Sequence, residues 1–82
     1  MDRNELYKNI DEQIAREVKR IIDIAVNKFG LSQKNIAEVL GVAPPTICEW
    51  HQGKKTPSLK HYLALQYLKT VLCILARIRN DK

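Results

Sequence analysis

Apolar positions in the first third of the chain recur at spacings of three and four. Leu6 and Tyr7, Ile10, Ile14, Val18, Ile21 and Ile22, Ala25 and Phe29 form one stripe, while Glu12, Arg16, Lys19, Arg20 and Asp23 fill the other side. That is the period of an amphipathic helix. No glycine precedes Gly30 and no proline precedes Pro44, so the helix runs unbroken to Gly30, which is placed to end it in a left-handed conformation. Ser32 offers a side-chain cap to a second, short helix that carries Ile36, Ala37, Val39 and Leu40 and stops at Gly41. Ala43 and Pro44 each precede a proline and are pushed away from the helical region, so a third helix is expected from about Pro45 to Gln52. Ile47 and Trp50 would face inward on it, and Gly53 would end it. Residues 54–58 read as a loop, after which Ser58 can cap a last helix reaching about Asn80.

The last helix is patterned differently from the first. At about 100° per residue, Tyr62, Gln66, Lys69, Thr70, Cys73 and Arg77 share one sector, and nearly everything else from Leu63 to Ile78 is apolar. Such an arc is wider than one core requires. It predicts two partners, the domain's own core and a second protomer, with Leu68, Val71, Leu72, Leu75 and Ile78 as the dimerisation residues. The pattern as a whole predicts an all-α compact bundle with long first and last helices and no internal repeat.

Composition narrows the function classes. At 82 residues and 9.5 kDa the chain supports one core, so residues 1–82 are expected to form a single domain. A net charge of +5 and a pI near 9.4 favour a polyanionic partner, either nucleic acid or an anionic membrane surface. The surplus sits late: residues 1–30 carry six basic and six acidic groups, residues 31–58 three and two, and residues 59–82 five and one. A mean hydropathy of −0.31 and the lack of a long apolar run exclude a transmembrane span. The start, from Met1 to Glu5, has no basic region followed by an apolar one, so a cytoplasmic protein with reduced Cys48 and Cys73 is expected.

The sharpest signal lies between Gln33 and Gln52. Ala37 is small, Gly41 stands at the turn, and Ile36, Leu40, Val42, Ile47 and Trp50 are apolar. Two short helices that cross steeply need a small residue at closest approach, a turn residue that tolerates positive φ, and apolar positions that pin both to the domain. This is helix-turn-helix spacing. The run from Leu31 to Val42, with Thr46 to Trp50 and Gly53 to Ser58, closely resembles the XRE-type family of lambda-repressor-like and Cro-like DNA-binding domains over roughly residues 31–68.

The resemblance implies a five-helix, all-α domain whose third helix enters the major groove of double-stranded DNA, in a homodimeric regulator, most simply a repressor on a pseudo-palindromic operator. It implies that Gln33 binds a backbone phosphate and that Pro44, Pro45, Thr46 and Glu49 face the bases. Lys34, Gln52, Lys54 and Lys55 are the accompanying phosphate contacts, with Lys60 in support. The two prolines depart from the family's usual polar residues and offer only apolar contact. Direct readout then rests on Thr46 and on Glu49, which can accept from cytosine N4 or pair with Lys54 or Lys55 instead. Two polar readers in each half-site suggest modest base specificity.

Other chemistries are weaker. Cys48, His51, His61 and Cys73 make a two-cysteine, two-histidine inventory, but their spacing does not match a zinc finger, and solvated histidines with a core or groove-side Cys48 are expected. No phosphate-binding glycine loop, nucleophile elbow or HExxH occurs, so no enzyme, cofactor or small-molecule substrate is expected. A membrane-surface role for the last helix is disfavoured by its narrow, weakly cationic polar sector. The alternative function is an antitoxin-like or adaptor protein that binds a protein partner, a toxin or a regulator, and binds DNA only to regulate itself.

Overall fold

The computed structural model describes residues 3–80; Met1, Asp2, Asp81 and Lys82, which belong to the expected 1–82 domain, lie outside the described residues. The described residues form four α-helices and no strand: α1 (Arg3–Phe29), α2 (Gln33–Leu40), α3 (Pro44–His51) and α4 (Leu59–Asn80). The resemblance implied five. A fifth would require a break within α1 or α4, and neither contains a glycine or proline. In α4 the hydroxyl of Thr70 bonds back to the Gln66 carbonyl (3.0 Å) and leaves the helix continuous.

Local chemistry sets each boundary. Leu31 N–H reaches Ala25 O (3.1 Å) and Gly30 N–H reaches Val26 O (3.2 Å), the paired bonds that close a helix through a left-handed residue. Ser32 caps α2 reciprocally: its Oγ accepts from Asn35 N–H (3.0 Å), and its own N–H donates to Asn35 Oδ1 (3.1 Å). Ala43 is extended (φ −71°, ψ 144°), as a residue before proline should be. Pro44 is already helical, one residue earlier than expected. The clash from a following proline raises the cost of the helical ψ without forbidding it, and Pro44's fixed φ suits a first-turn position. Ser58 Oγ accepts from His61 N–H (3.5 Å) at the start of α4.

All four helices contribute to one core. It contains Val18, Ile21, Ile22 and Ala25 from α1, Ile36 and Ala37 from α2, Ile47 and Trp50 from α3, and Leu65 and Leu72 from α4. Each fully buried side chain of this size contributes about 1.5–3 kcal/mol relative to exposure. Glu17 pairs with Lys69 (3.2 Å), Ile10 and Ile14 share a recess with Tyr62 and Gln66, and Lys28 and Phe29 share another with Ala76 and Arg79. Early residues of α1 therefore meet early residues of α4, and late meet late, so the long helices run parallel and α2 and α3 bridge them.

One expected interface residue belongs to this core: Leu72 is 7% exposed, so it is not free to contact a second protomer as expected. Leu68 is half-buried against the cluster and lines a shallow recess with Val39 and Leu40 of α2. Val71 is half-buried, and Leu75 and Ile78 are exposed together with Leu63, Tyr67 and Ile74. Among the described residues, no helix is long and apolar enough to cross a membrane.

Candidate nucleic-acid interface

The turn between α2 and α3 is short and strongly specified. Gly41 takes φ 73° and ψ 32°, and Val42 N–H bonds to Ala37 O (3.0 Å). The space beside Gly41 is open, so an added Cβ would meet no neighbour; the backbone conformation alone would cost about 1–2 kcal/mol for an L side chain. Beyond the turn, α3 has no side-chain cap, and its two leading prolines have no N–H to leave unsatisfied. Ile47 and Trp50 anchor α3 in the core, with the Trp50 ring 5.6 Å from that of His61 at a tilt of 43°.

This anchoring decides what α3 presents outward. At about 100° per residue, Pro45, Cys48, Glu49 and Gln52 lie opposite Ile47 and Trp50. Pro44 is exposed on one flank, and Thr46 is half-buried on the other. Cys48 is absent from the expected base-facing set although it shares the outward arc; the same angular arithmetic applied to the sequence would have found it. Gln52 Nε2 donates to Cys48 Sγ (3.3 Å), so these two side chains are held together on the surface.

The end of α3 carries the cationic loop. Lys54 N–H bonds to Glu49 O (2.9 Å), and Lys55 Nζ lies 3.2 Å from Glu49 Oε2. Both partners keep solvent access, and pairs of this kind contribute about 0–1 kcal/mol, so Lys55 is tethered loosely. Gln33 begins α2 half-buried with Lys34 exposed beside it, next to free amide donors of the first turn. The expected phosphate contacts thus divide into the start of α2, formed by Gln33 and Lys34, and the end of α3, formed by Gln52, Lys54 and Lys55.

The histidines are not simply solvated, as was expected. His51 Nε2 lies 2.7 Å from Asp23 Oδ1 and ties the last turn of α3 to α1, and His61 hydrogen-bonds through Nδ1 to Ser58 Oγ (3.2 Å). A carboxylate 28 residues before His51 could not be assigned to it from spacing, because the contact exists only after packing. Among the described residues, no three of His, Cys, Asp and Glu gather as a metal would require.

Chemically, the outward surface of α3 offers a carboxylate acceptor, an amide that both donates and accepts, a thiol and an apolar ring, flanked by ammonium groups. Such a set can meet the edges of planar polar groups and neutralise nearby anions. Compared with known proteins, the chain matches no family model, no curated sequence and no solved structure, so its own geometry carries the functional reading.

Proposed function

We propose that the protein is a cytoplasmic helix-turn-helix regulator, without catalytic activity, that binds double-stranded DNA as a homodimer and represses transcription. The observation that carries this reading is the α2–turn–α3 unit, pinned from behind by Ile36, Ala37, Ile47 and Trp50 and closed at Gly41. An eight-residue helix is about 12 Å long and about as wide with its side chains, and the major groove is about 12 Å wide. With α3 in the groove, Pro45 and Gln52 meet base edges, Pro44 and Thr46 border them, Glu49 pairs with Lys55, and Gln33, Lys34, Lys54 and Lys55 meet phosphates.

The dimer rests on α4. Leu63, Ala64, Tyr67, Val71, Ile74, Leu75 and Ile78 form an apolar arc over about 23 Å, and Lys60 lies just before it while Lys69, Arg77 and Arg79 lie off it. An uncharged face of this length can cover its own copy across a two-fold axis. Two copies then read a pseudo-palindrome with half-sites about 34 Å apart. The same apolar face favours the second reading, an adaptor whose α4 holds a different chain.

Selection of bound duplexes from a random pool tests the proposal. The expected result is an enriched two-fold site, with log K falling against log salt at a slope of roughly −5 to −9 for about 6–10 phosphate contacts. A pool with no enriched site at moderate salt would refute DNA recognition. A heteromeric complex with no dimer of the isolated protein would favour the adaptor.

Glu49 separates base reading from charge pairing. Because Lys55 already occupies its carboxylate, Glu49→Ala is expected to release that cation, strengthen binding to every duplex alike and leave the selected consensus unchanged. Loss of about 1–3 kcal/mol of discrimination at one base pair per half-site would instead assign Glu49 to base reading.

A further inference from the structure

We infer that α1 supplies a separate phosphate-binding stripe, formed by Arg16, Lys19 and Arg20, that grips the DNA backbone beside the C-terminal end of α3. The inference rests on the DNA-binding reading above. Arg16 and Lys19 line a shallow recess with His51, Gln52 and Gly53, where α3 ends, and Arg20 continues the same surface along α1. At about 100° per residue, the three cations share one face of α1 with Asp23, the residue that bonds to His51.

That face carries Arg16, Lys19 and Arg20 against Glu12 and Asp23, a surplus of one cation, although residues 1–30 are formally neutral. Glu17 is held by Lys69 on α4 (3.2 Å) and Asp23 by His51 on α3 (2.7 Å). Arg16, Lys19 and Arg20 are exposed, and none belongs to an ion pair among the described residues. Glu17 is thus neutralised by a cation from another helix and Asp23 is engaged by the His51 ring, while these three cations remain available. The Asp23–His51 bond also fixes the stripe to α3, so it travels with that helix.

A helix lying in a groove bounded by two phosphate strands brings its ends against backbone. Lys54 and Lys55 follow the end of α3 in the chain, and the α1 stripe stands beside the same end through packing. Neutralising it should cost affinity without altering the base preference, because phosphates carry no sequence information.

The test compares three proteins on one selected duplex: wild type, the triple variant Arg16→Gln/Lys19→Gln/Arg20→Gln, and a control, Lys28→Gln/Arg77→Gln/Arg79→Gln, that loses the same charge at the far end of the long helices. Circular dichroism melting verifies that each is folded. The triple variant is expected to flatten the salt slope by about 2–5 per dimer, at about 0.9 per lost contact, with the consensus retained. The control should keep the wild-type slope. An unchanged slope in the triple variant, or equal flattening in the control, would overturn the stripe while leaving DNA binding intact. Failure of the wild type to bind any duplex would overturn both.

Discussion

Replacing Trp50 with alanine is expected to lower the unfolding free energy by about 3–5 kcal/mol. The side chain is 4% exposed and joins α3 to a core to which every helix contributes, and its ring lies against His61 of α4. Removing it deletes a large buried surface and leaves a cavity that four short contact regions cannot close. Small domains have about 5–15 kcal/mol in total, so the variant should lose a large share of its stability and unfold at a much lower urea concentration. Urea titration followed by circular dichroism at 222 nm checks this, at fixed protein concentration because dimerisation adds to apparent stability. Leu59→Ala, at an exposed site, should stay within about 0.5 kcal/mol. A loss below about 1 kcal/mol for Trp50→Ala would contradict its place in the core.

The second large effect separates the two faces of α4. Leu72→Asp introduces a carboxylate at a position 7% exposed within the apolar core, at a cost of several kcal/mol. That variant is expected to unfold. Ile74→Asp/Ile78→Asp alters side chains 51% and 62% exposed and should leave a helical, cooperatively melting protein that sediments as a monomer. Wild type should sediment as a dimer at tens of micromolar. A wild-type monomer at that concentration, or a double variant that keeps the dimer mass, would remove α4 as the self-association surface.

The helices were legible because their signals are local. The Ser32 cap, the glycines at 30, 41 and 53, and the three-and-four spacing of α1 each act within a turn or two, and the boundaries they predict agree with the structure to within about a residue. The helix count of five came from resemblance, whereas the unpunctuated runs themselves indicate four. Which arc of α4 faces inward was not legible: Leu72 looks no different in sequence from Leu75 and Ile78, and only tertiary packing distinguishes it. At the candidate interface the same limit applies. Gln33, Lys34 and the lysine loop follow from motif spacing, but the Glu49–Lys55 pair, the Asp23–His51 bond and the approach of Arg16 and Lys19 to α3 depend on tertiary packing.

Parallel packing of α1 and α4 also aligns their peptide dipoles. Both C-termini, each equivalent to roughly half a negative charge, emerge at the same end of the molecule, where they raise each other's energy instead of cancelling as antiparallel neighbours would. Lys28 stands in the last turn of α1 and Arg77 and Arg79 in the last turn of α4, and Lys28 and Arg79 line a common recess there. Each such cation is worth about 0.3–1 kcal/mol against a helix end. Much of the late basic surplus therefore has an internal counter-charge, and net charge overstates the cations this fold can turn toward a polyanion.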